Sequence, residues 1–133
     1  MASRNGDAPE LKALLERLNS SLDDFATRPA TTASDRGAFG DYPLHKVAIW
    51  GDLKAAEVLL ANGADANAAG EDDDTPLHRA VAGGHPEMIR FLIAKGANPK
   101  QTNRYGSSAM KDAEDTGNAE LISAFRWASR SAP

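Results

Sequence analysis

Three histidines, His45, His78 and His85, are the first side chains in this chain that could do chemistry. His45 and His78 stand 33 residues apart in similar surroundings, and two imidazoles could divide acid and base work. The acidic run Glu71-Asp72-Asp73-Asp74 suggests a divalent cation. Counted as an EF-hand loop from Asp65, Asn67 and Gly70 fit, but Ala69 does not. Pro76 stands where the closing bidentate glutamate is required. The chain has no cysteine, so it has neither a thiolate nucleophile nor a Cys-based zinc site. Ser107-Ser108 follows Gly106 without a recognisable base, and no Gly-x-Ser-x-Gly elbow or phosphate-cradling glycine loop occurs. The expectation is a protein that is not an enzyme, with no metal and no cofactor. The rival is an enzyme or metal-binding domain built on His45, His78 and the acidic run.

Composition narrows the field further. At 133 residues and 41% hydrophobic, the chain is expected to form one globular domain. Its formal charge of −4 argues against general nucleic-acid binding, which needs a basic stripe. No apolar stretch approaches the ~18 residues of a membrane span. No signal peptide is visible at Met1–Asp7, so a cytoplasmic location is expected. Only eight residues are aromatic, so small aliphatic side chains must close the core, which suits close helix packing.

The eleven glycines reveal the elements that position these residues. Gly37 recurs as Gly70, Gly51 as Gly84 and Gly117, Gly63 as Gly96, and Gly40 as Gly106 two periods on, with Asp73 between. All share a spacing of 33, and segment 37–69 laid on 70–102 gives ten identities. Each unit reads as two short helices and a turn. Pro43 and Pro76 suit a first helical turn, and Gly51 and Gly84 suit its end. In the second helices Ala55, Ala56, Leu59 and Leu60, then Met88, Ile89, Leu92 and Ile93, share one face. Those helices end at Asn62-Gly63 and Lys95-Gly96. The polar stretches that follow, Ala64–Asp74 and Ala97–Ser107, are long enough for extended hairpins.

Tyr42-Pro43-Leu44-His45-Lys46-Val47-Ala48 and Thr75-Pro76-Leu77-His78-Arg79-Ala80-Val81 resemble the ankyrin signature Thr-Pro-Leu-His-x-Ala-Ala. Leu59–Asp65 and Leu92–Asn98 resemble the end of the ankyrin second helix. The resemblance covers roughly 37–127, with Pro43, Leu44, His45, Gly51, Gly63, Pro76, Leu77, His78, Gly84 and Gly96 as signature positions. It departs at Tyr42, at Asp73 in place of a turn glycine, and at Ser108-Ala109-Met110-Lys111 in the third unit. The resemblance implies an all-α ankyrin-repeat solenoid with hairpin-like loops, with repeats at 37–69 and 70–102 and a degenerate one at 103–127. It also makes His45 and His78 structural residues that hydrogen-bond neighbouring turns. His85 is expected to be exposed.

The ends differ from the repeats. Residues 1–8 read as a flexible tail and 128–133 as another. Within 9–36, Leu11, Leu14, Leu15, Leu18, Leu22 and Phe25 recur at helical spacing, and Pro9 can open the helix. That helix is expected to cap the first repeat, the alternative being a docking helix for a partner. Residues 27–36 read as a mobile polar linker. The last helix is expected over 119–127.

The resemblance implies non-catalytic protein binding through finger loops and the groove face of the first helices. The positions so assigned are Phe39, Asp41, Lys46, Ile49, Trp50, Glu71, Asp72, Asp74, Arg79, Arg104 and Tyr105. Trp50 stands where the next repeat has Gly83, so it is expected to be partly exposed beside a gap and to join Phe39 and Tyr105 in an aromatic patch. The alternative is that it packs and plugs the groove. The expected partner is a protein, and the acidic finger favours a basic one. Adaptor and inhibitor both fit, the latter resembling ankyrin-like immunity proteins that neutralise bacterial toxin enzymes. The chain is expected to be monomeric alone.

Overall fold

A computed structural model describes residues 9–20, Phe25 and 28–131, with side chains to Trp127. The sequence-predicted tail at 1–8 and the helix-face residue Leu22 lie outside the described residues, as do 132–133. Seven α-helices are bounded among the described residues: α1 Pro9–Asn19, α2 Pro43–Trp50, α3 Leu53–Ala61, α4 Pro76–Gly83, α5 Pro86–Ala94, α6 Ala109–Thr116 and α7 Ala119–Ser131, with a 3₁₀ turn at Glu71–Asp73. Each of α2 and α4 begins on its proline and ends against a left-handed glycine, Gly51 (φ 75°) and Gly84 (φ 77°). Asp52 then caps α3 by accepting the Ala55 N–H at 3.0 Å.

The helices stack in two layers, α2 on α4 on α6 and α5 on α7. Their apolar faces share one core containing Leu44, Val47, Leu59, Leu77, Ile89, Leu92, Ala113 and Phe125. The apolar face of α1 is buried in the same core, through Leu11, Leu14, Leu15 and Leu18. The 33-residue offset runs back into this region. Leu11 falls on Leu44 and Leu77, Leu14 on Val47 and Ala80, and Ala33 on Ala66, all of them buried. Helix α1 thus occupies the register of a first repeat helix without its Pro-Leu-His signature.

The described part of the 27–36 linker makes specific contacts. Ala30 and Ala33 are buried, the Ala30 N–H and carbonyl bond the Asn19 side chain, and Asp35 accepts from Thr31 and Thr32. The last helix continues to Ser131, past the expected end at Trp127. The hairpin-like loops form as tight turns: the Gly37, Gly70 and Asn103 N–H groups donate to the Asp41, Asp74 and Ser107 carbonyls at 2.7, 2.8 and 2.9 Å, and one bridge joins Thr102 and Ser108.

Gly83 is not a gap in the groove. A Cβ built there would meet the Ile49 carbonyl oxygen and would lie 2.7 Å from the His85 ring. His85 fills the space, and its Nε2 lies 2.9 Å from that same carbonyl. It is therefore half-buried as a tie between α2 and α5, rather than exposed. Replacing Gly83 with alanine is expected to destabilise the fold by ~1–3 kcal/mol through overpacking against backbone. A lowered urea midpoint would show this.

Candidate functional site

The fingers owe their positions to the two signature histidines. His45 Nδ1 accepts the Tyr42 N–H at 3.1 Å, which fixes the ring against its own helix start. His45 Nε2 lies 2.8 Å from the Asp74 carbonyl in the second finger. His78 repeats the arrangement one unit on. It accepts from the Thr75 N–H at 2.9 Å, and its Nε2 lies 2.8 Å from the Ser107 carbonyl in the third finger. With Nδ1 accepting, Nε2 carries the proton and donates. Both rings are buried, and both nitrogens of each face backbone, so neither ring has a lone pair free for a metal or a substrate proton. Burial lowers the His45 pKa below its ordinary value, against an opposing pull from Asp41. In the first repeat Tyr42 replaces the capping threonine. Its ring stacks beside His45, 5.9 Å between centroids, under the Arg36 guanidinium.

Beneath the fingers lies a charge network that engages three of the expected contact residues, Asp41, Lys46 and Arg79, and buries the first. Asp41 is fully buried. Its Oδ1 accepts the Glu71 N–H at 2.9 Å and lies 3.0 Å from Arg79 Nη2, and Lys46 approaches Oδ2 at 3.7 Å. Arg79 also faces Asp74 at 3.6 Å and Glu71 at 4.0 Å. Asp41, Lys46 and Arg79 therefore hold the finger bases together, because a buried carboxylate requires opposite charge and hydrogen bonds. Gly70 allows this closeness: a Cβ there would meet the Asp41 carboxylate and sit 2.7 Å from His45 Nε2.

The acidic finger is partly neutralised from within. Asp74 takes the Arg79 charge and accepts from Asn103 Nδ2 at 2.9 Å. Asp72 pairs with Arg104 at 3.2 Å. The mutual repulsion expected of four bare carboxylates is accordingly relieved inside the molecule. Asp72 and Asp73 both adopt left-handed backbone, each at φ 60°. Equivalent Gly40 and Gly106 also have positive φ, so Asp73 is held in a conformation that its neighbours leave to glycine.

Trp50 is 39% exposed, yet Arg17 of α1 lies over its ring at 4.8 Å and pairs with Asp52 at 2.8 Å. This bond, with the Ala55 N–H, holds the Asp52 carboxyl below its ordinary pKa. Trp50 ends α2 and the first finger precedes its start, so the helix length of ~10 Å separates Trp50 from the fingers. The three-ring patch does not form: Phe39 and Tyr105 stand on the finger tips, 61% and 72% exposed, and Trp50 lies at the far end of α2 beside Arg17. Ile49 is half-buried, its carbonyl taken by His85. The residues left on the finger tips are Phe39, Glu71, Asp72, Asp73, Arg104 and Tyr105. A cleft of about 550 Å³ lies elsewhere, lined by Leu60, Ala64, Asn67 and Lys95 among others, and neither His45 nor His78 borders it.

Residues 44–93 match the family described as ankyrin repeats (many copies). No curated protein matches the chain. The paired helices, the left-handed glycines and the match together show that residues 44–93 are ankyrin repeats, set in an all-α solenoid fold. Ankyrin repeats are generally protein–protein interaction modules. No helix among the described residues is long and apolar enough to cross a membrane.

Two predictions follow from the finger geometry. Asp73→Gly relieves left-handed strain and is expected to raise stability by ~1 kcal/mol, measured by urea unfolding. Because the folded His45 pKa lies below the unfolded value near 6.5, acid protonates the unfolded chain first. The His45 contribution is complete above that value and declines as pH falls below it. Urea midpoints taken from about pH 7 to about pH 5 should fall, and less steeply in His45→Gln.

Proposed function

We propose that this chain is a non-catalytic binding module whose partner protein docks on the ridge of finger tips. The carrying observation is the pair of highly exposed aromatic rings, Phe39 and Tyr105, on the outer fingers. Exposed aromatics on a rigid scaffold are the side chains that dominate binding hot spots. The groove supports this less well, since Arg17 already stacks on one side of the Trp50 ring and the space at Gly83 is filled by His85. Adaptor and inhibitor roles both use such a ridge. The internal pairing of Asp72 and Asp74 weakens the case for an immunity-type inhibitor of a strongly basic toxin and favours an adaptor. Some preference for a basic partner remains, because Asp73 and Glu71 are exposed.

Affinity capture from the native cell tests the reading. The wild-type protein should retain a partner that the folded Phe39→Ala/Tyr105→Ala double variant loses. Trp50→Ala should keep it. Retention by the double variant and loss by Trp50→Ala would move the site to the groove.

A further inference from the structure

A second surface lies in the outer helix layer, at the C-terminal ends of α3 and α5. Helix α5 packs closely on α7 but only loosely on α3, and the cleft of about 550 Å³ opens where those two part. That volume falls within the ~300–1,000 Å³ of ligand sites. Leu60, Ala61 and Ala64 give the cleft apolar walls, and Glu57, Asp65 and Lys95 line it with charge.

The next repeat contains a filled version of this position. Ala61, Ala94 and Trp127 are equivalent, each 33 residues from the next, and so are Glu57 and Arg90. One unit on, the Arg90 guanidinium lies over the Trp127 ring, 5.9 Å from its centroid. The open cleft has the methyl group of Ala94 in place of that ring and the Glu57 carboxylate in place of that cation. A ring entering it therefore has to bring its own positive charge.

The surroundings favour such a charge. Glu57 and Asp65 are both exposed, and α3 ends here with no basic residue in its last turn, so the negative end of its dipole adds to theirs. Lys54 approaches Glu57 at 3.7 Å with both side chains in solvent, a pair of small energy. Lys95 directs its ammonium to the Phe91 ring, 5.7 Å away. Residues 1–8 and 128–133 contain no aromatic side chain, so neither segment supplies the ring.

The structure assigns the cleft to a segment of a partner protein that carries tryptophan next to arginine, the pair that fills the equivalent position one repeat on. The indole packs on Leu60, Ala61 and Ala64, and the guanidinium meets Glu57 and Asp65. This site is separate from the finger ridge and does not rest on it.

A nitrogen-15 titration of the full chain with the peptide acetyl-Ala-Arg-Trp-Ala-amide tests this. Saturable shifts are expected at the amides of 60–67 and Gly96, and they should persist in Phe39→Ala/Tyr105→Ala. Ala94→Trp rebuilds the filled arrangement from within and should weaken binding by ~10-fold or more. Glu57→Lys and Asp65→Asn should each weaken it by ~3–5-fold, the asparagine still accepting the Asn67 N–H. Circular dichroism checks that each variant is folded. A peptide with Glu for Arg, or Ala for Trp, should bind distinctly more weakly. No saturable shift, shifts confined to the fingers, equal binding of the Glu peptide, or indifference to both Ala94→Trp and Glu57→Lys would overturn the inference. Self-association in sedimentation that Trp127→Ala abolishes would place a second copy's own Arg126-Trp127 pair in the cleft and overturn the assignment to a separate partner.

Discussion

Each bridging imidazole carries its proton on Nε2, because Nδ1 already accepts the backbone N–H three residues upstream. That single constraint organises the molecule. The Nε2 proton then points at a carbonyl 29 residues away, Asp74 for His45 and Ser107 for His78. One ring therefore fixes its own helix start and the finger of the next repeat. Such bonds contribute only ~1 kcal/mol each, but losing one leaves buried polar groups unsatisfied, at a larger cost. Repetition turns two local bonds into a row of fingers at a fixed spacing.

The second constraint is electrostatic. Finger bases crowd carboxylates around Asp41, and the chain answers with Arg79 and Lys46 from the first helices. These cations lie at the positions that follow the two histidines, so the residue that sets the bridge and the residue that neutralises the base are neighbours in sequence. This arrangement uses up charge that would otherwise face a partner. What remains at the surface is narrower than an acidic patch: two rings, a few carboxylates and one arginine on three adjoining tips.

Much of this architecture was legible in the sequence. Proline at the helix start and glycine at its end mark both complete repeats, since each residue suits one backbone conformation. The N-terminal unit was harder to see, because it keeps only the buried positions, Leu11 and Ala33 among them, and has lost the residues that punctuate a repeat. The site was less legible still. Charge type did not reveal that Asp41 is buried while Asp73 is not, because the ion pairs join residues 32 and 38 positions apart. The contrast of Trp50 with Gly83 suggested a hole; nothing in the repeat pattern indicated that the His85 ring would fill it. The signal that could have helped is the lone arginine at position 17, one period before Trp50.

The tautomer of the two bridging rings tests the central claim most directly. A long-range proton–nitrogen correlation spectrum at neutral pH should show His45 and His78 each protonated at Nε2, with those protons exchanging slowly with water. An Nδ1-protonated ring at either position, or fast exchange of both Nε2 protons, would contradict the account that these histidines hold the finger row in place.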